Sequence, residues 1–150
     1  MTTESETLSF GVLDGSLGFL LRLAQLQNFE TYFDVMGETG LRPGEATVLV
    51  VVGANPGVRQ GHLCRTLRIK RAHMAKMLKA MESDGLIDRR VPPEDRRAAE
   101  VRLTQAGEAR VAEFSDALRE VERRAFEPLD AREGATLIRL LTKLLQGGRS

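Results

Sequence analysis

At Gly85 the periodicity of the chain changes, and this restricts the fold more than any other feature. Before it, Met74, Met77, Leu78 and Met81 recur at helical spacing within "IKRAHMAKMLKAMESDGLIDRR", residues 69–90. One face of a helix running to about Ser83 therefore asks for burial. Asp84 and Gly85 end that helix, glycine being the usual left-handed stop. Beyond it, "LIDRRV" and "AAEVRLT" read as two short strands, and "PPEDRR" between them makes a turn rich in proline and charge. Upstream, Gln60 to Leu67 reads as a short helix, with a turn near Arg68–Lys70.

A short helix, a tight turn and an amphipathic helix make a helix-turn-helix. The hairpin with an arginine-bearing tip that follows gives the layout of a winged helix. Around this unit the chain predicts further helices. From about Leu13 to Met36, Leu13, Leu17, Leu20, Leu21 and Ala24 track one face, and Gly37 and Gly40 punctuate its end. Pro43 sits where a first helical turn tolerates it and opens a helix to about Val52, which stops at "GANPG". The β-branched run "TVLVVV" allows a strand there; the clean start at Pro43 and the helices that follow favour a helix. Thr104 is placed to cap the next helix, in which Val111, Phe114, Leu118, Val121 and Ala125 form a seam for a partner helix. Pro128 breaks it. "DARE", residues 130–133, resembles a capping box, and Leu137, Leu140, Leu141 and Leu144 give the last helix its stripe. The first eight or so residues are polar and expected to fray.

Composition narrows the function. At 150 residues the chain is long enough for one domain with a real core. Aromatic residues make up 5% and there is no Trp, which is lean for a carbohydrate or cofactor pocket. The greasiest stretch, "ATVLVVVGA", is too short to span a bilayer. "MTTESETLSF" lacks the basic start and apolar stretch of a signal peptide, so a cytoplasmic address is expected. One cysteine excludes an intramolecular disulfide framework. The net charge of +1 hides an asymmetry: Arg59 to Arg102 carries 12 basic and 6 acidic residues, and the remainder 10 basic and 15 acidic. Such segregation suggests one surface built for a polyanion.

Residues 63–107, "LCRTLRIKRAHMAKMLKAMESDGLIDRRVPPEDRRAAEVRLTQAG", carry a resemblance. Gly85, Leu86 and Ile87 match the "GL" joint with its hydrophobic third residue. Asp95, Arg96 and Arg97 match a "D-x-R" wing tip, and Leu103, Thr104 and Gly107 match the "LT-x-x-G" that follows. In that order and spacing the chain resembles the MarR family of transcriptional regulators. Lys70 departs from the pattern, which often has a small or acidic capping residue there. The resemblance implies a mainly α protein: a winged helix-turn-helix over 43–104 with a small β-hairpin wing, and N- and C-terminal dimerisation helices over 8–42 and 105–150, all within one MarR-like domain, 1–150. It also implies a homodimer on a pseudo-palindromic operator in double-stranded DNA, and a small-molecule effector.

On this reading the Met and Leu face packs on the core while the basic face enters a major groove wide enough for one helix. Ala72 and Ala75 let the backbone approach the base edges. Arg71, His73 and Lys76 are expected to reach bases, arginine or lysine to guanine being the most frequent specific contact. Lys79, a turn further along, and Lys70, near the start, are expected on phosphates. In the wing, Arg96 and Arg97 resemble the family's minor-groove arginine, Arg97 in the matching slot, since narrow grooves concentrate negative potential. Asp95 would orient an arginine through a charge-assisted bond. The plainer alternatives are a solvated basic helix face and a merely polar hairpin turn.

Phe29, Tyr32 and Phe33 share one side of the first helix. They serve core or dimer packing, or line an effector pocket, because family ligands sit between the dimerisation helices and the winged helix. Arg22, Arg42, His62 and Arg65 would then supply a cation to a small anionic, aromatic effector or its CoA thioester. Cys64, framed by Leu63 and Leu67, reads as a small packing residue. His62 and His73 have no ligand partners at metal spacing, and no nucleophile–base arrangement or phosphate-cradling glycine loop is present. No cofactor, metal, membrane association or enzymatic activity is therefore expected. A regulator released from DNA by its effector is one reading; a winged helix used only for protein docking is the other.

Overall fold

The computed structural model describes residues 8–37, 41–93 and 99–147. The wing-tip residues Asp95, Arg96 and Arg97 lie outside these. The elements run, after a 3-10 turn at Gly11–Leu13, as α1 (Leu17–Met36), α2 (Pro43–Ala54), β1 (Val58–Arg59), α3 (Gln60–Thr66), α4 (Arg71–Ser83), β2 (Ile87–Arg90), β3 (Glu100–Leu103), α5 (Gln105–Ala125) and α6 (Ala131–Gly147). The chain forms two compact units, one of Met36–Glu120 and one of Met1–Val35 with Val121–Ser150.

In the first of these units α2, α3, α4 and the sheet enclose one core. Val48, Leu49 and Val52 of α2 meet Leu63 and Cys64 of α3, the four apolar residues of α4, and Ile87 and Val101 of the strands. The β-branched run of α2 is helical. Pro43 opens the helix, the Glu45 carboxylate accepts the Arg42 N–H at 3.3 Å, and Ala46, Val48, Leu49 and Val52 bury one helical stripe. The sheet has three strands rather than the two of a hairpin, in the order β1-β3-β2, antiparallel throughout. Val58 pairs with Val101, and Ile87 with Leu103. A two-residue strand is too short to show any periodicity, so β1 leaves no pattern in the sequence; only the turn chemistry of "NPG" just before Val58 hints at a change of direction.

Both helices of the helix-turn-helix end in the same left-handed device. After α4, Gly85 takes φ +71°, the Gly85 N–H donates to the Glu82 carbonyl at 3.0 Å, and the Leu86 N–H donates to the Met81 carbonyl at 2.9 Å. After α3, the Ile69 N–H donates to the Cys64 carbonyl at 3.0 Å, and the left-handed residue is Arg68, at φ +54°. Among the described residues it is the only non-glycine with positive φ. A side chain held there costs roughly 1–2 kcal/mol that glycine would not.

The joint between α4, the wing strands and α5 explains the "GL…LT-x-x-G" pattern physically. The Thr104 hydroxyl donates to the Gly85 carbonyl at 2.6 Å, and the Thr104 N–H donates to the Leu86 carbonyl at 3.0 Å. The same hydroxyl accepts the Gly107 N–H at 3.1 Å, capping α5 as its position predicts. Gly107 itself lies so close that a Cβ would sit 2.0 Å from the Leu86 carbonyl oxygen. Only glycine lets α5 start against this turn.

In the other unit α1 begins at Leu17 rather than near Leu13, because the Ser16 hydroxyl accepts the Phe19 N–H at 3.4 Å and caps the helix there. The Phe10 and Phe19 rings meet edge to face, 5.1 Å apart. The capping box at α6 forms as its sequence predicts: the Asp130 carboxylate accepts the Glu133 N–H at 2.8 Å, and the Glu133 carboxylate accepts the Asp130 N–H at 2.9 Å. Yet α6 buries none of its residues, and Ile138, Leu140, Leu144 and Leu145 are each at least half exposed or nearly so. Leu17, Leu20, Leu26 and Phe33 of α1 are also exposed. By contrast the α5 seam is turned from solvent: in this unit Val121 is buried and Ala125 half-buried, and in the first unit Phe114 is buried and Val111 and Leu118 half-buried. No helix among the described residues is long and apolar enough to cross a membrane.

Candidate nucleic-acid interface

The two faces of α4 separate as their spacing predicts. Met74 and Leu78 are fully buried, and Met77 and Met81 retain 6% and 4% of their exposure. Burying each such side chain stabilises the unit by roughly 1.5–3 kcal/mol. Four anchors at positions i, i+3, i+4 and i+7 fix the rotation of the helix about its axis. They leave Ala72, Lys76 and Lys79 exposed on the opposite side, with Ala75 and His73 exposed at its flanks and Arg71 exposed in the first turn. Lys70 is the residue just before the helix, extended at φ −61° and ψ 140°, also exposed and making no side-chain cap. The small side chains of Ala72 and Ala75 lower the profile of the helix between the cations.

The electrostatics of this face are one-signed. Between Glu45 and Glu82 the sequence contains no acidic residue. The one carboxylate within α4, Glu82, sits in its last turn and is engaged elsewhere: Arg89 of β2 donates its Nε to Glu82 Oε2 at 2.8 Å and adds a second bond from Nη2. That hydrogen bond from Arg89, opposed in part by desolvation and aided by the guanidinium charge, holds the Glu82 carboxyl below the usual carboxylate range. The negative charge is thereby neutralised within the fold, and the rear of α4 is tied to the strand leading into the wing. Sequence reasoning missed this pair. Its trace is an acid and a base seven residues apart, astride the Gly85 turn.

β2 and β3 frame the wing, their register running from Ile87 opposite Leu103 to Arg90 opposite Glu100. Arg102 is exposed on β3, with Glu100 at 3.9 Å. The arginine pair of the tip and Asp95 fall between the two strands, outside the described residues.

The seven effector candidates divide between the two units. Phe29, Tyr32 and Phe33 come together on α1: the ring centres of Tyr32 and Phe33 are 5.6 Å apart, edge to face, and those of Phe29 and Phe33 are 6.5 Å apart. Tyr32 is buried, whereas Phe29 and Phe33 are exposed, as is Arg22 on the same helix. In the other unit Arg42 precedes α2, and His62 and Arg65 stand one turn apart on α3, all three exposed. That unit also has an open cavity of about 390 Å³ whose lining includes Val52, Pro56, Arg102, Glu108 and Val111, none of them among the seven. Cys64 is buried in the core, as its apolar frame predicts.

A family model described as MarR family matches residues 39–98. Over 138 residues the chain is 32% identical to a candidate transcriptional regulatory protein for the hcr operon of Thauera aromatica, covering 91% of this chain and 83% of that one. The transcriptional repressor CouR, solved bound to a 23-mer DNA duplex, superimposes with a TM-score of 0.86 at 33% identity, over 93% of this chain and 99% of its own. A probable transcriptional regulator from Pseudomonas aeruginosa gives a TM-score of 0.79 at 32% identity, over 88% and 98%. With the helix-turn-helix, the wing strands and the "GL…LT-x-x-G" joint all in place, the chain belongs to the MarR family, whose members regulate transcription and are not enzymes.

Proposed function

We propose that the protein is a two-fold homodimer that binds a pseudo-palindromic operator in double-stranded DNA, represses transcription in the cytoplasm, and is released by a small anionic aromatic effector or its CoA thioester. The observation that carries the DNA reading is α4, locked in rotation by four buried apolar side chains and presenting small and basic residues outward, its one carboxylate engaged by Arg89. Arg71, His73 and Lys76 face base edges in the major groove, Lys70 and Lys79 meet phosphates, and the wing delivers Arg97, with Arg96 beside it and Asp95 orienting the pair.

One recognition helix covers too few base pairs to find a site in a genome. A two-fold dimer places two of them roughly 34–36 Å apart, in successive major grooves. The exposed leucines of α1 and α6 supply apolar surface for such an assembly. The aromatic cluster on α1 supports the effector reading, with Arg22, Arg42, His62 or Arg65 as counter-ion. A ligand acts only through its differential affinity for the DNA-competent form. Releasing DNA ~100-fold takes about 2.7 kcal/mol of coupling, within the ordinary allosteric range.

The test is selection of a preferred duplex from a random pool, followed by titration across a salt series with and without aromatic carboxylates and their CoA thioesters. Salt-sensitive, sequence-selective binding that these ligands weaken supports the full reading. Binding that no ligand alters removes the effector claim alone. No salt-sensitive binding at all would leave the protein-docking alternative.

A further inference from the structure

Two chain reversals closed by the same five-residue bond, one with glycine and one with arginine at the left-handed position, set up an internal comparison. After α4 the chain uses Gly85, the relaxed solution. After α3 it places Arg68 in the same conformation, at φ +54°. Strained backbone persists where the surrounding structure over-determines it, and it concentrates at functional sites, where it serves a purpose.

The surroundings of Arg68 say what that is. Its neighbours Leu67 and Ile69 both pack against the core, so the turn is anchored on either side of it. Arg68 itself is exposed, and among the described residues its side chain has no hydrogen bond or ion pair. It therefore makes no polar contact within the fold that glycine would lose. It stands two residues ahead of Lys70, with exposed Arg65 one turn back on α3 and Arg71 opening α4. All four cations lie in the stretch that has no acidic residue from Glu45 to Glu82. A guanidinium fixed on a rigid turn beside the start of the recognition helix suits a phosphate oxygen, since it offers paired donors in a planar fork.

We infer that Arg68 is a phosphate-contacting residue that positions α4 on DNA, its left-handed backbone retained for that contact. The inference rests on the DNA-binding reading given above and adds to it a residue outside the recognition helix and the wing. It uses no base readout, so it acts on all sequences alike.

The experiment compares wild type, Arg68→Gly and Arg68→Lys as full-length proteins at one protomer concentration. Fluorescence anisotropy follows binding to a labelled duplex of random sequence from 50 to 200 mM salt, and thermal melts are recorded alongside. Loss of one phosphate contact per protomer, two per dimer, makes the log–log salt slope of Arg68→Gly shallower by about 1.8, so that this fourfold rise in salt costs wild type about 12-fold more affinity than the variant. Arg68→Gly also melts at or above wild type, because the strain is gone. Arg68→Lys keeps the wild-type slope, since it keeps the charge. An unchanged slope in Arg68→Gly, a lower melting temperature for it, or a slope in Arg68→Lys as shallow as that of glycine would each overturn the inference. Wild type itself binding without salt dependence would instead strike the DNA-binding reading.

Discussion

Replacing Gly107 with alanine probes the joint where the recognition helix, the wing and α5 meet. The added Cβ would lie 2.0 Å from the Leu86 carbonyl oxygen, 3.1 Å from its carbon and 3.2 Å from Leu103 Cδ2, where ordinary contact begins near 3.4 Å. The nearest obstacle is backbone, so no rotamer change relieves it. The first turn of α5 has to move away from Leu86, stretching the Thr104 N–H bond to the Leu86 carbonyl and the Thr104 hydroxyl bond to Gly85. Overpacking of this kind costs about 1–3 kcal/mol. Each weakened hydrogen bond adds up to about 1 kcal/mol. Alanine returns about 1 kcal/mol through its helix propensity. The net expectation is a loss of roughly 2 kcal/mol, or a fall of roughly 4–8 °C in Tm for a chain of this size. Gly134 in α6 is the control, because a Cβ there meets nothing within 4 Å. Its replacement by alanine should stabilise by about 0.5–1 kcal/mol. Urea denaturation at a fixed protomer concentration reads both. A Gly107→Ala protein with a midpoint at or above wild type would refute the close-approach argument.

Lys76→Ala should weaken operator binding by about 1–3 kcal/mol per half-site and relax preference at one base position in each, whereas Lys79→Ala should weaken operator and random DNA alike and reduce the salt slope by about 1 per protomer; anisotropy titrations on both duplexes separate the two. Leu144→Asp places a charge on the open apolar face of α6, and sedimentation should show fewer dimers together with weaker DNA binding. Glu82 has a folded pKa below its unfolded one, so its pair with Arg89 contributes fully above the usual carboxylate range near 4.5 and loses its contribution as pH falls through the lower folded value. Stability curves of wild type and Glu82→Gln should accordingly differ at neutral pH and converge in acid; parallel curves throughout would count against the pair.

Where a residue's role depends on its own segment, the sequence already carried it. The spacing of Met74, Met77, Leu78 and Met81 allows only one buried face, and the cations between them are left outside whatever the tertiary fold. Asp130 and Glu133 cap α6 through bonds that span three residues, and Thr104 caps α5 the same way. What depends on distant segments was hidden. β1 exists because Val58 and Arg59 find β3, more than forty residues on. Nothing in "LIDRRV" ties Arg89 to Glu82 across the Gly85 turn, yet the fold brings the two together. The strain at Arg68 was equally invisible, since nothing in "LRIK" distinguishes a left-handed arginine from an ordinary one. Gly107 was recognisable as part of a pattern, but the carbonyl that forbids a side chain there belongs to a residue twenty-one positions earlier. The aromatic cluster of α1 was legible as a group, whereas three of the four cations proposed to accompany it, Arg42, His62 and Arg65, belong to other segments.

Cys64 gives the protein a built-in reporter. It is the chain's one thiol, it retains 7% of its exposure, and it packs in the core shared by α2, α3, α4 and the strands. A thiol-reactive reagent can reach it only while that core is open. Its labelling rate therefore measures how often the helix-turn-helix unit opens, without any engineered probe. The same rate, followed with DNA added, would report whether occupying α4 quiets the core behind it.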